Sequence, residues 1–248
     1  MSGHSKWSTI KRKKGAKDAQ RSKQFSKVIK EITVAARIGG GDPNGNPRLR
    51  LAVAKARAAN MPQDNIKKAI QKGTGELEGV HYEEVLYEAF GPGGVALLIE
   101  ALTDNRNRTV GEIRHVLDRH GGNLAQTGAV SHLFSTVGYA TVETAHVDED
   151  RLLGVALDAG ADDVRNEGDA WEVITAPAKL DAVIKALETA GIAYDNAEIA
   201  RLPSTTVRLE GSRAQSILKL VDLLEELDDV QKVYANFDIP EEEMAGTE

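Results

Sequence analysis

Basic side chains crowd into the first 75 residues of this chain, and acidic ones into the rest. Residues 1–75 carry 18 Lys and Arg against 4 Asp and Glu, a balance of +14. The remaining 13 basic and 34 acidic residues give −21, so the net charge of −7 conceals two regions of opposite sign. A strongly basic region points to a polyanionic partner, nucleic acid or a membrane surface, over a merely solvated basic tail, and an acidic body limits how that partner can approach. A membrane-spanning role is excluded by length: the aliphatic run Val95 to Ile99 stops at Glu100.

The absence of cysteine removes disulfides, thiol nucleophiles and Cys-ligated metals. It fits a reducing, cytoplasmic location. The basic start resembles a transit peptide, but Lys outnumbers Arg eight to two over residues 1–30 and the basic pattern continues into further helices.

Periodicity predicts three helices in the basic region. The first runs from about Ala16 to Ile38, with Phe25, Val28, Ile29, Ile32 and Ala36 on one stripe. Lys23, Lys27, Lys30 and Arg37 fall on the opposite face. Gly39-Gly40-Gly41-Asp42-Pro43 breaks it, and Asn46-Pro47 supplies a cap and a first-turn proline for the second helix. Asn60-Met61-Pro62 separates a third helix containing Ile66, Ala69 and Ile70, with Gly73 as its expected stop.

Beyond a glycine-bearing acidic linker, Gly73 to Gly79, strands and helices mix. One β-α-β-β-α-β series has strands at about 138–144, 161–166, 170–175 and 193–200 and helices at about 149–159 and 178–190. A second comprises strand 95–103, helix 106–119, strand 129–134, strand 205–210, helix 213–228 and strand 230–237. Ser212 and Gln215 read as a capping box. The expected fold is multidomain α+β: an all-helical domain followed by two ferredoxin-like α+β domains, one inserted in the other. The corresponding boundaries are 1–75, then 80–135 with 204–239, the insert 136–203, and an acidic tail at 240–248.

Several groups are candidates for contact with phosphate. Lys6, Lys11, Arg12, Lys13, Lys14 and Lys17 form a dense run, continued by Lys23, Lys27 and Lys30. Such contacts supply affinity by counterion release without reading sequence. Trp7 could stack on an unpaired base or pin the N-terminal arm to the helices. Arg106 and Arg108 sit at a helix start, where the macrodipole disfavours cations, so a phosphate or a local partner such as Glu112 is expected. Glycines 39–41, 91–94 and 121–122 lack the P-loop and dinucleotide spacings and read as tight turns more than as phosphate nests. His115 and His120 have no third ligand in view, and Asp148-Glu149-Asp150 reads as a charged first turn of a helix. No convergent catalytic set is visible, so neither an enzyme nor a cofactor is expected.

Combined motifs give the chain a family resemblance. Gly3-His4-Ser5-Lys6-Trp7, the Gly39–Pro43 and Asn46-Pro47 turn, Asn60-Met61-Pro62, Gly91-Pro92-Gly93-Gly94, Asp104-Asn105-Arg106-Asn107-Arg108-Thr109 and Gly121-Gly122-Asn123-Leu124 resemble the YebC family over nearly the whole length. The resemblance implies three domains. Members are commonly named probable transcriptional regulators, a mitochondrial relative is a translational activator of cytochrome oxidase, and bacterial members are linked to rescue of ribosomes stalled at proline runs. Two functions are therefore expected side by side. One is a non-enzymatic nucleic-acid-binding regulator of gene expression. The other is a ribosome-associated translation factor that binds ribosomal RNA. An adaptor role ranks behind both. The expected partner is DNA or ribosomal RNA, with no membrane, and oligomeric state is not legible.

Overall fold

The structure, a computed structural model, describes residues 18–240, with side chains from Ser22 onward. It divides into two compact units: one holds the chain up to Leu133 together with Pro203 onward, the other Phe134–Leu202.

The first unit opens with helices α1 (Asp18–Gly39), α2 (Pro47–Ala58) and α3 (Gln63–Thr74). Val28, Ile32, Ala35 and Ala36 of α1 meet Leu49, Ala52, Val53 and Ala56 of α2 and Ile66 and Ala69 of α3 in one apolar core. Asn46 is buried and caps α2: its Oδ1 accepts from the Leu49 N–H at 3.1 Å while its Nδ2 donates to the Ala35 and Gly40 carbonyls. One side chain thus fixes the helix start and ties it to α1. Gly73 does not end α3. It lies inside the helix, where a Cβ would stand 2.4 Å from the Thr33 carbonyl oxygen, so glycine is what lets α1 and α3 approach. The stop is Gly75, at φ +82°, whose N–H returns to the Gln71 carbonyl.

An α+β layer follows in the same unit. Strands β1 (Glu83–Phe90), β2 (Ala96–Thr103) and β3 (Asn123–Leu124) are joined by helix α4 (Arg106–Arg119) between β2 and β3. The inserted unit contains β4 (Phe134–Glu143), α5 (Glu149–Asp158), β5 (Asp163–Asn166), β6 (Ala170–Thr175), α6 (Leu180–Thr189) and β7 (Asn196–Pro203). The chain then closes the first unit with β8 (Val207–Arg208), α7 (Gly211–Glu225), β9 (Val230–Ala235) and β10 (Phe237–Asp238).

The insert has sheet order β5-β6-β4-β7, the arrangement of a β-α-β-β-α-β ferredoxin-like unit. In the first unit the sheet order is β3-β1-β2-β9, antiparallel between neighbours. Leu97 and Ile99 of β2 pack with Ile113 and Leu117 of α4 and with Ile217, Val221 and Leu224 of α7 in one core. The layout is again four antiparallel strands with two helices, but the places expected for strands 129–134 and 205–210 are taken by β3 and β1.

Glu88 explains the first of these differences. Its buried carboxylate accepts N–H bonds from Gly128, Val130 and Ser131 at 2.6–2.9 Å, so those donors are aimed at a side chain and not at a neighbouring strand. Residues Ser131–Leu133 form a short 3₁₀ turn instead. Burial opposes the charge on Glu88, but the backbone donors outweigh it and hold the carboxyl below its ordinary range. The expected strand 230–237 is broken at Asn236, whose Oδ1 takes the Ala96 N–H at 2.7 Å. The Ser212 capping box does not form, because α7 begins at Gly211 and Ser212 already lies in its first turn.

Candidate nucleic-acid interface

Side chains on α1 face two ways from one helix. The apolar stripe enters the helical core, while Lys23, Lys27 and Lys30 meet the C-terminal end of α7. Lys27 Nζ donates to the Glu225 carbonyl at 2.5 Å, Lys23 Nζ to the Glu226 carbonyl at 3.3 Å, and Lys30 Nζ to the Asp228 carbonyl at 3.0 Å. The last carbonyls of a helix lack internal donors and carry the negative end of its dipole. Lys23 and Lys27 therefore satisfy the end of α7, Lys30 binds the loop just after it, and together the three dock the helical region on the α+β layer.

The same docking centres on Asp229, which is 3% exposed. Its Oδ1 accepts from Lys30 at 2.7 Å; its Oδ2 accepts from Arg108 at 2.6 Å, Thr109 at 2.8 Å and Thr103 at 3.1 Å. Burial raises the cost of the charge, and the bonds from Lys30, Arg108 and Thr109 more than offset it, holding the carboxyl down to about 2. Arg108 also pairs with Asp104 at 2.7 Å, and these carboxylates raise its own affinity for the proton. Arg106 pairs with Glu83 at 2.5 Å. Further links are Arg37 to the Tyr82 carbonyl at 2.6 Å and Arg48 to Glu31 and Glu84, both at 2.7 Å.

Cations at the start of α4 thus have partners outside their helix, but the partners are carboxylates of the same chain, and Arg108 selects Asp104 and Asp229 where Glu112 was the expected neighbour. The groove beside them is a poor phosphate site. Asp104, Glu112, Glu226, Asp228 and Asp229 outnumber Lys23, Lys30 and Arg108 along its walls. Lys6, Trp7, Lys11, Arg12, Lys13, Lys14 and Lys17, with the acidic tail from residue 241, lie outside the described residues.

A group not among the sequence candidates stands on α2 and α3. Lys55, Arg57, Lys67, Lys68 and Lys72 are exposed, and none forms an ion pair with another described residue. On α3 their signal in the sequence is charge at helical spacing away from Ile66, Ala69 and Gly73, which the denser basic run over residues 6–30 overshadows.

Glycines 91–94 form the turn between β1 and β2, with Gly93 and Gly94 at φ +77° and +78°. Asp148 caps α5 by accepting the Arg151 N–H at 3.0 Å. Among the described residues no group of three or more His, Asp or Glu side chains is placed to hold a metal ion, and no helix is long and apolar enough to cross a membrane.

Comparison with known proteins gives this arrangement its family. Residues 5–76 match the TACO1/YebC protein N-terminal domain, and residues 82–237 match the TACO1/YebC second and third domain. A probable transcriptional regulatory protein of Geobacter sulfurreducens is 59% identical over 244 residues, covering 98% of each chain. One of Acidithiobacillus ferrooxidans is 56% identical, covering 100% of this chain and 99% of its own. The crystal structure of a conserved hypothetical protein from Aquifex aeolicus superposes with a TM-score of 0.83 at 51% identity, over 90% of this chain and 93% of that one. By both domain matches and these near full-length relatives, the chain belongs to the TACO1/YebC family.

Proposed function

We propose that the protein is a non-enzymatic, nucleic-acid-binding regulator of gene expression. The supporting observation is the charge division: +14 on residues 1–75, with cations of α2 and α3 turned to solvent beside an acidic remainder. The names carried by the relatives point to regulation of transcription. Lys6, Lys11, Arg12, Lys13, Lys14 and Lys17 are the proposed phosphate contacts, with Trp7 beside them. Lys23, Lys27, Lys30, Arg106 and Arg108 contribute chiefly by holding the platform together.

Reversing charge at Lys11, Arg12, Lys13 and Lys14 tests this role. Binding to nucleic acid should weaken, and the slope of log K against log salt should flatten by about one for each phosphate no longer neutralised. An unchanged slope removes this run from the interface.

Association with the ribosome is the second reading. It is favoured by the make-up of the exposed cations, four lysines and one arginine on α2 and α3, since lysine acts mainly as a point charge. Cosedimentation with ribosomes at physiological salt supports the translation reading. Selective binding of a promoter duplex well above random DNA, without ribosome association, decides for transcription.

A further inference from the structure

We propose that the outer face of α3, with the end of α2, docks the phosphate backbone of double-helical RNA through Lys67, Lys68 and Lys72, flanked by Lys55 and Arg57. This rests on the nucleic-acid reading above and gives it a surface and an occupant.

At 100° per residue, Lys67 and Lys68 point away from the buried Ile66, Ala69 and Gly73, with Lys72 on the flank. Lys72 is steadied at its base: the Gly79 backbone comes so close that a Cβ there would stand 3.0 Å from the Lys72 Cβ. Asp64 lies one turn before Lys68, yet no ion pair forms between them. The face therefore keeps a positive surplus, in contrast to the α1 lysines, which are engaged at the end of α7.

The side chains present select the occupant. Neither α2 nor α3 contains Phe, Tyr or Trp, so the face has no platform for stacking unpaired bases. Of the nearby groups that could read base edges, Arg48 is held by Glu31 and Glu84, Arg50 by the Pro43 carbonyl and Asn46 as the α2 cap, while Arg57 and Gln63 stay exposed at the end of α2 and the start of α3. The cations that α3 itself turns outward are all lysines, which act mainly as point charges on phosphate. Duplex RNA is recognised largely in that way, by shape and backbone contacts, because its major groove is too deep and narrow for side chains.

The test uses the full chain, a 20-base-pair RNA duplex of arbitrary sequence, the DNA duplex of the same sequence, and a single strand. The variant K67E/K68E/K72E should bind the RNA duplex at least tenfold more weakly, and its salt slope should fall by about three. A charge-matched control in the inserted unit, R165E/K179E/K185E, should weaken binding far less. Asp64→Lys should tighten it. The face is ruled out if the triple variant binds as the unaltered protein does, or if the control is weakened as much. The RNA assignment is overturned if the DNA duplex or the single strand binds as tightly and is weakened equally. If the unaltered protein shows no salt-dependent affinity for any of the three, it is the nucleic-acid reading itself that fails.

Discussion

Helices α1 and α3 are both lysine-rich, both amphipathic and both part of one apolar core, yet their charges do different things. On α1, Lys23 and Lys27 end on carbonyls at the C-terminus of α7, and Lys30 on the Asp228 carbonyl and Asp229 just beyond it. On α3, Lys67, Lys68 and Lys72 end in solvent. The difference lies in what stands opposite. A helix terminus with orphan carbonyls is an electrostatic socket, and a lysine facing one becomes part of the fold. A lysine facing water stays available to a polyanion. Counting basic residues therefore overstates an interface wherever an internal acceptor lies within reach.

Asp229 is where this contrast can be undone most severely. Replacing it with Ala strands Lys30 and Arg108 beside a cavity and leaves Thr103 and Thr109 without their shared acceptor. A loss of roughly 3 kcal/mol in denaturant unfolding is expected, in the range for removing one member of a buried ion pair. An unchanged midpoint would mean that the docking of α1 does not depend on this carboxylate.

Acid should produce a smaller loss at the same place. The carboxyl is held at about 2 in the folded protein against an ordinary 3.8. A depressed folded value contributes stability above the unfolded value and loses it as pH falls through the folded one. About 2 kcal/mol should therefore disappear between about pH 4 and pH 2, and Asp229→Asn should remove that part of the acid dependence. Glu172 in the insert has the opposite sign. Burial pushes its carboxyl up, and the Tyr139 hydroxyl donating at 2.6 Å only partly offsets this, so its contribution is present in acid and is lost as pH rises. The two carboxylates should separate in a pH titration of stability.

Lys27→Met probes the α1 side more gently. It removes one ammonium from the end of α7 and should cost up to about 1 kcal/mol, with the nucleic-acid salt slope unchanged. The α3 triple variant should do the reverse, lowering the slope while shifting stability by no more than about 0.5 kcal/mol. If Lys27→Met flattened the slope as K67E/K68E/K72E does, the distinction between the two helices would be lost.

Much of the fold is legible in the sequence because its signals are local. The Asn46-Pro47 start of α2 follows from cap chemistry that needs only neighbouring residues. Helix α4 spans Arg106–Arg119 as its periodicity indicates, and β6 spans Ala170–Thr175. Strand β1 escapes notice in the sequence because Glu83, Glu84 and Glu88 disguise it as surface, although Glu88 is buried and bonded to residues 40 and more positions ahead. Gly73 passes for a helix stop because its reason for being glycine is the Thr33 carbonyl on another helix.

Residue type and short-range spacing, which a linear chain displays in full, suffice for the opposite charges of the two regions, the helical start, the mixed α+β remainder and the family resemblance. They say nothing of which cations are engaged within the protein and which face water. That choice belongs to the packed molecule. Asp229 lies about 200 positions from Lys30 and 121 from Arg108, and whether a charge meets a carboxylate, a helix end or water is settled by packing across such separations.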